Sequence, residues 1–181
     1  DEAAPSSELE SRFKQLDAEF AGNAINQALL RQWRQLQIKP SEVCDDETFI
    51  RRVSLDISGT LPTAEQVTAF VNDTTSDKRA RLIDRLLDTP EYASYFAQKW
   101  ADILQNRGKG YSTSKQRPGT ALFANWIRDS LLQNKPYDQF VTEILTATGS
   151  QAVNPPTVWY RSVRTPSNYV ESVAQAFLGV R

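Results

Sequence analysis

The chain has 181 residues, of which 40% are hydrophobic and 24% charged, so it is long and apolar enough to fold around a core. Its 21 basic and 22 acidic residues give a formal charge of −1, which disfavours a nucleic-acid-binding protein, and no apolar run is long enough to span a bilayer. Histidine and methionine are absent and Cys44 is the only cysteine, which excludes Ser-His-Asp and Cys-His catalysis, histidine or methionine ligation of haem, and a multi-cysteine zinc site within this chain.

Two helices are predicted at the amino-terminal end. The first carries apolar residues at helical spacing, namely Leu9, Phe13, Leu16 and Phe20. Gly22-Asn23 interrupts this pattern, and a second helix is predicted from Ala24 to Gln37. We therefore predict that residues 1–23 are an N-terminal helical extension or linker and that residues 24–181 form one helical domain.

Between residues 45 and 104, helix-start and helix-stop signals alternate with short apolar faces. Helices are predicted to begin at Asp45 or Asp46, at Thr63, at Ser76 or Asp77, and at Pro90. Gly59 is suited to end the first of these in a left-handed conformation, and Thr63 with Gln66 forms a capping-box pattern.

The second half of the chain continues this helical pattern with two interruptions. Residues 107–119 are predicted to be a long polar loop, and residues 150–165 to be extended because Asn154-Pro155-Pro156 blocks regular structure. Further helices are predicted from Thr120 to Gln133, from Pro136, and from Thr165-Pro166. The sequence therefore predicts an all-α fold: a compact array of seven or eight short helices with a long polar loop and an extended proline-rich segment.

Carboxylates are the only plentiful catalytic groups. A pair of them could hydrolyse a glycoside if one had a raised pKa and the other an ordinary one. Asp45, Asp46 and Glu47 are clustered, but they precede a helix, where acidic side chains stabilise the helix dipole. We favour this structural interpretation.

Arginine and aspartate residues indicate a structural network. A guanidinium can bind a carboxylate through two hydrogen bonds, so we predict that Arg51 or Arg52, on the helix of Asp56, links that helix to a neighbour through Asp84 or Asp138. The same alternation of charges is also typical of a solvated helix face.

Two further features suggest binding. Trp159-Tyr160 lies in the proline-bounded segment, where the rings could form an exposed carbohydrate platform or plug the side of the helical array. The loop at 107–119 carries four cations, Arg107, Lys109, Lys115 and Arg117. This loop is predicted either to contact an anion or partner, or to be simply solvated.

Several motifs in order resemble a known family. They are Asp46-Glu47-Thr48-Phe49-Ile50-Arg51-Arg52-Val53-Ser54-Leu55-Asp56-Ile57-Ser58-Gly59-Thr60-Leu61-Pro62-Thr63, Asp77-Lys78-Arg79, Leu82-Ile83-Asp84-Arg85-Leu86-Leu87, Thr89-Pro90-Glu91-Tyr92, Lys99-Trp100, Trp126-Ile127-Arg128, Asn134-Lys135-Pro136-Tyr137-Asp138-Gln139-Phe140-Val141 and Phe177-Leu178-Gly179-Val180-Arg181. From about Ala24 to the last residue, the chain resembles the DUF1549 domain, also called the planctomycete cytochrome-associated domain PSCyt2.

The resemblance implies an exported, extracytoplasmic (periplasmic or cell-surface) protein of Planctomycetes or related bacteria. Such domains often accompany a cytochrome-c-like domain and a DUF1553 domain. In relatives, the Phe-Leu-Gly-Val-Arg segment is followed shortly by Cys-x-x-Cys-His, the signature of covalent c-type haem. The present sequence ends at Arg181, so the resemblance implies that any haem of the full-length protein is attached outside it, and that this chain itself binds no cofactor.

Two functions of different kinds are therefore expected. The first is a non-catalytic helical scaffold or interaction module that supports a downstream haem-bearing segment and contacts its partners through Trp159, Tyr160, Phe177 and Arg181. The alternative is a carbohydrate-binding or polysaccharide-processing module that uses exposed aromatic side chains and carboxylates. No nucleic-acid partner and no membrane span are expected.

Overall fold

A computed structural model describes residues 7–110 and 113–180 of the chain, and these residues are predominantly helical. The helices are α1 (Ser7–Glu19), α2 (Ala24–Gln35), α3 (Asp46–Ser58), α4 (Ala64–Asn72), α5 (Lys78–Leu87), α6 (Pro90–Ile103), α7 (Thr120–Leu132), α8 (Tyr137–Leu145) and α9 (Pro166–Val173). The predicted all-α class is confirmed, although the described ranges hold nine α-helices rather than seven or eight. None of these helices is both long and apolar enough to cross a bilayer.

The chain divides into two compact units, residues 1–45 and residues 46–181. In the first unit, α1 and α2 pack around a small apolar core of Leu9, Phe13, Leu16 and Leu30. The Oδ1 atom of Asn23 caps α2 by accepting hydrogen bonds from the amides of Ile25 and Asn26, at 3.0 and 3.1 Å. This structural division falls after residue 45 rather than at the predicted boundary after residue 23, because α2 packs Leu30 and Trp33 against α1.

The second unit has its main core around α7. Phe123 and Ile127, one helical turn apart on α7, are completely buried, and Ile144 of α8 is buried beside them. A smaller core joins α3, α4 and α5 through Ile50, Phe70 and Leu82. Both cores follow from apolar residues spaced three or four positions apart, which give each helix one buried face.

The proline-rich segment is not extended as predicted. Residues Pro155–Arg161 form a 3₁₀ helix, and the amide of Thr157 donates to the carbonyl of Asn154 at 3.1 Å. Proline is compatible with this conformation because its fixed φ suits the first helical positions, where no intrahelical donor is required. The 3₁₀ helix directs the side chains of Val158 and Trp159 into the main core. It lies within the segment that was predicted to be extended.

The predicted polar loop contains a short β-hairpin. Strands β1 (Lys109–Gly110) and β2 (Thr113–Gln116) pair antiparallel, with an irregular register beside Gly110. The strands are too short for an alternating apolar pattern, so the sequence carries no signal for them. The amide of Arg117 donates to the carbonyl of Gly108 at 2.8 Å and closes the base of the hairpin.

Gly119 controls how the chain enters α7. Its φ is +77°, in the left-handed region, and a Cβ atom built there would lie 2.5 Å from Oε1 of Gln151 and 2.9 Å from Cγ2 of the buried Val158. Only glycine therefore allows α7 to begin this close to the 3₁₀ helix.

We expect Gly119→Ala to destabilise the second unit by more than the cost of left-handed backbone alone, which is about 1–2 kcal/mol. Gly149→Ala is the matched control, because Gly149 also has a positive φ but its Cβ position is open. Equilibrium denaturation with urea measures both losses. Equal destabilisation by the two variants would contradict the steric role of Gly119.

Candidate functional site: the C-terminal aromatic cluster and apolar surface

Four aromatic side chains meet at the C-terminal end of the second unit. The ring of Trp159 lies 5.4 Å from Tyr160, 5.9 Å from Tyr169 and 5.9 Å from Phe177, in each case edge to face. Tyr160 and Tyr169 stack with a centroid separation of 6.2 Å. This cluster fastens α9 and the residues after it to the 3₁₀ helix.

Trp159 is only 3% exposed, so its ring is not part of an open carbohydrate platform. Of the two interpretations left open by the sequence, the structure favours the plug. The reason is the 3₁₀ turn, which directs Trp159 inward instead of leaving it on an extended strand. The buried ring offers little area for the partner contact predicted at Trp159, and that contact stays a prediction.

Tyr160 is half-buried, and its hydroxyl donates to the carbonyl of Leu145 at 2.5 Å. Burial raises the pKa of this phenol, and the neighbouring Tyr169 adds to the effect. The hydroxyl is thus used to join the 3₁₀ helix to the end of α8, and only one edge of the side chain remains for a partner.

Helix α9 is well defined at its start. The Thr165 hydroxyl accepts from the amide of Asn168 at 3.2 Å, and Pro166 occupies the first helical position. The helix continues into a π-helical turn, Ala174–Leu178, which ends at Gly179 with a φ of +65°. Turns of this type are rare and occur preferentially at functional sites.

Three apolar side chains in this region are exposed, among polar neighbours such as Glu171 and Gln175. Neither α9 nor the π-helical turn contains a fully buried residue. Val170 is 69% exposed, Leu178 70% and Val180 54%. We call these three residues the C-terminal apolar surface; exposed apolar area of this kind is a candidate for an interaction site.

Of the other predicted partner contacts, Phe177 lies in the π-helical turn, directly before Leu178 of this surface. Phe177 is half-buried against Trp159, and its carbonyl accepts a hydrogen bond from the Tyr137 hydroxyl at 3.1 Å. Arg181 lies outside the described residues. Phe177 therefore supports the C-terminal apolar surface from beneath.

The residues of this chain do not fit a c-type haem. Covalent attachment requires two cysteines and a histidine in Cys-x-x-Cys-His, whereas the sequence has one cysteine and no histidine, and it also lacks methionine. Over residues 7–110 and 113–180, no group of three histidine, cysteine, aspartate or glutamate side chains is arranged to hold a metal ion.

The structure brings no ion pair together among the predicted arginine–aspartate residues in the part of the chain that it describes. Arg51, Arg52, Asp56, Asp84 and Asp138 are all exposed, and none has an ion-pair partner among the described residues. Helix α3 buries Ile50, Ser54 and Ser58, which share one face at four-residue spacing. The positions between them are exposed to solvent and hold Arg51, Arg52 and Asp56. This arrangement agrees with the solvated helix face that the sequence left open as an alternative.

An ionic network does form nearby, around Asp46 at the start of α3. Its carboxylate accepts from Nζ of Lys78 at 2.5 Å and from the Arg79 guanidinium at 2.7 and 3.0 Å. These hydrogen bonds hold the pKa of Asp46 below its ordinary value. The network joins α3 to α5. Because Asp46 is at the start of α3, its carboxylate also interacts favourably with the helix dipole.

The two cations of this network also cover aromatic rings. The Lys78 ammonium lies 5.1 Å from the Phe70 ring centroid and donates to the carbonyls of Phe70 and Asp73, which end α4. The Arg79 guanidinium lies 4.6 Å from the ring of Phe49. Sequence reasoning singled out both Asp46 and the Asp77-Lys78-Arg79 motif but did not connect them.

We expect Asp46→Asn to lower the Tm by several degrees at neutral pH, because two cations lose their carboxylate. The pKa of Asp46 is depressed in the folded state, so its contribution is present above the ordinary aspartate value of about 3.9 and is lost as the pH falls through the folded value. Thermal unfolding across this range, with Asp84→Asn as the unpaired control, measures the effect. A Tm difference between wild type and Asp46→Asn that persisted in strong acid would contradict this assignment.

We expect Trp159→Ala to cost about 3–5 kcal/mol of unfolding free energy, as is usual when a large buried ring is removed. Trp159→Phe should retain part of the packing. Its free energy of unfolding can be measured even if the alanine variant does not fold. Val153→Ala, at a side chain that is 87% exposed, should stay within about 0.5 kcal/mol. A Trp159→Ala protein as stable as wild type would show that the ring lies outside the core.

The family of the chain follows from comparison with known proteins. No curated protein and no solved structure is significantly similar to it. Residues 24–181, which include α2 to α9 and the whole C-terminal surface, match the family model described as PSCyt2, protein of unknown function (DUF1549). Since the match covers well over half of the sequence, the chain belongs to the PSCyt2 (DUF1549) family.

Proposed function

We propose that this domain is a non-catalytic interaction module that supports a c-type cytochrome domain in the extracytoplasmic space. The observation that carries the proposal is the C-terminal apolar surface. Val170 and Leu178 are exposed on elements without a fully buried residue, and Val180 is exposed just after them. Association would remove these side chains from water, which is the usual driving force of a lasting contact.

A crevice lined in part by residues of α9 and the π-helical turn supports the same proposal. It has a volume of about 210 Å³ and lies between the end of α6, the 3₁₀ helix and α9. Ile103, Val163 and Ala176 supply apolar walls, while Ser162, Ser172 and Gln175 supply hydrogen-bonding groups. Such a combination suits the insertion of one or two side chains from a partner, since apolar area gives affinity and a few polar groups fix orientation.

The partner's chemistry is inferred from the family resemblance and from this chain's composition. Cytochrome-c-like and DUF1553 domains accompany the domains that this chain resembles, and the present sequence cannot attach haem itself. A haem-bearing domain of the same polypeptide, or of an associated one, is therefore the proposed occupant of the surface. The extracytoplasmic location is part of the proposal because c-type haem is expected there in such proteins.

The carbohydrate alternative has less support. Its main aromatic candidate, Trp159, is buried, and Tyr160 uses its hydroxyl on the Leu145 carbonyl. Carbohydrate platforms need an accessible ring face, which neither residue offers in full. This alternative therefore stays a prediction from the sequence.

The proposal is tested by capture of haem proteins. The immobilised chain is incubated with the extracytoplasmic fraction of the organism that encodes it, and retained polypeptides are stained for covalent haem and identified by mass spectrometry. We expect a c-type cytochrome to be retained by the wild type, and Val170→Asp/Leu178→Asp to reduce retention about tenfold, since charge at the centre of an apolar contact is strongly unfavourable.

Val153→Asp is the control, because it introduces one aspartate at a side chain that is already 87% exposed and lies outside the C-terminal apolar surface; the single variants Val170→Asp and Leu178→Asp match it in charge. Circular dichroism and Tm confirm that each variant is folded. Absence of any haem-bearing polypeptide, or equal retention by the double variant and the wild type, would overturn the proposal.

A further inference from the structure

Basic residues are separated from acidic ones in two segments of the sequence. Residues 103–127 and 144–170 together contain six cations, Arg107, Lys109, Lys115, Arg117, Arg161 and Arg164, and no aspartate or glutamate. The rest of the chain carries 15 basic and 22 acidic residues. A protein with almost no net charge thus has one strongly basic part, which the overall charge conceals.

The fold brings these two segments together. The Arg161 guanidinium donates to the carbonyl of Pro118 at 2.5 Å and, through Nε, to the carbonyl of Val158 at 3.3 Å. Gly119 packs directly against Val158, and Nε of Arg164 donates to the carbonyl of Arg161 at 3.3 Å. Arg117, Arg161 and Arg164 therefore lie on one surface, where the start of α7 meets the 3₁₀ helix, and we call them the basic surface.

These arginines differ from others in the same molecule. Arg34, Arg79 and Arg81 each pair with an aspartate, namely Asp17, Asp46 and Asp73. In the described part of the chain, the three arginines of the basic surface have no carboxylate within 4 Å. Their charge is therefore not neutralised by the side chains that the structure describes.

The basic surface is also held in place, which matters for binding. Arg161 is half-buried and anchored by two backbone carbonyls, so little side-chain entropy remains to be lost. Burial and the nearby Arg117 lower the pKa of Arg161, which means that its charged form is disfavoured there. A bound anion would counter the repulsion between Arg117 and Arg161 and favour the charged form of Arg161, because it would supply an opposite charge.

The geometry of the groups indicates which anion suits them. Guanidinium groups bind planar carboxylates through pairs of hydrogen bonds, and a surface made of arginine favours such ligands over simple point charges. At physiological ionic strength charges act over about 8 Å, so a short acidic segment would feel mainly the basic surface. A long polyanion would also meet the acidic remainder of the chain, which repels it.

We propose that Arg117, Arg161 and Arg164 form a binding surface for a short, carboxylate-rich polypeptide segment of a partner. The surface consists of residues different from those of the C-terminal apolar surface, so this inference does not rest on the proposed cytochrome contact. The acidic segment and the domain that contacts the C-terminal apolar surface are compatible with one partner or with two.

The experiment measures fluorescence anisotropy of a short labelled peptide of alternating glutamate and serine, titrated with the 181-residue chain at low and at physiological salt. A peptide of alternating glutamine and serine is the neutral control. We expect binding of the acidic peptide alone, weakened by salt, and a loss of about tenfold in affinity for Arg117→Gln/Arg164→Gln, which leaves the anchoring bonds of Arg161 intact. Arg161→Gln, checked for folding by circular dichroism, should cause a comparable loss.

The matched control is Arg51→Gln/Arg52→Gln. It removes the same two charges from exposed arginines of α3 that also have no ion pair, and we expect less than about a twofold change in affinity. An equal loss in both double variants, or no binding by the wild type, would overturn the proposal.

Two competitor arms test the class of ligand. A sulfated oligosaccharide and a short single-stranded DNA of matched charge are titrated under the same conditions. If the sulfated oligosaccharide or the DNA binds more tightly than the acidic peptide, and Arg117→Gln/Arg164→Gln abolishes that binding, the polyanion is the ligand of the basic surface. This result would overturn the proposal. Self-association of the chain that is lost in the same variant would support the proposal and identify the acidic segment as that of a second copy.

Discussion

The burial of one face of α7 is the constraint on which the second unit depends. Phe123 and Ile127 fill the centre of the core, and the left-handed Gly119 lets the helix begin directly against Val158 of the 3₁₀ helix. Because the 3₁₀ helix is fixed in this way, Trp159 points inward and can anchor Tyr169 and Phe177. The same placement directs Arg161 toward the Pro118 carbonyl. Both candidate surfaces therefore originate from a single packing arrangement.

Electrostatics divides the arginines of the chain into two groups with different roles. Arg79 and its neighbour Lys78 share the carboxylate of Asp46 and lie against aromatic rings, so their charges stabilise the junction of α3, α4 and α5. Among the residues that the structure describes, Arg161 is held by backbone carbonyls, which orient the guanidinium but do not cancel its charge. Paired cations hold the fold together, whereas an oriented cation without a carboxylate remains available to a ligand.

The two candidate surfaces of the chain support the proposed role in binding. Three of the groups with shifted pKa values are explained by contacts within the fold: Asp46 by two cations, Asp73 by the Thr75 hydroxyl and amide, and Tyr160 by burial beside Tyr169. The apolar residues Val170, Leu178 and Val180 and the basic surface offer two kinds of contact, one driven by removal from water and one by charge. Together they would allow an interaction that is both lasting and oriented.

The sequence by itself determined the local features of this protein. Helical spacing and caps predicted the elements, and the structure confirms the capping box of Thr63 and Gln66, the left-handed Gly59 and the Thr165-Pro166 start of α9. Only the tertiary structure decided which residues meet. Arg51 and Asp84 had the right chemistry for a network but the wrong helix faces, and Asp46 received the cations instead. The sequence could predict neither the burial of Trp159 nor the environment of Arg161. Caps and periodicity act within a few residues, whereas burial and ion pairing depend on residues far apart in the chain.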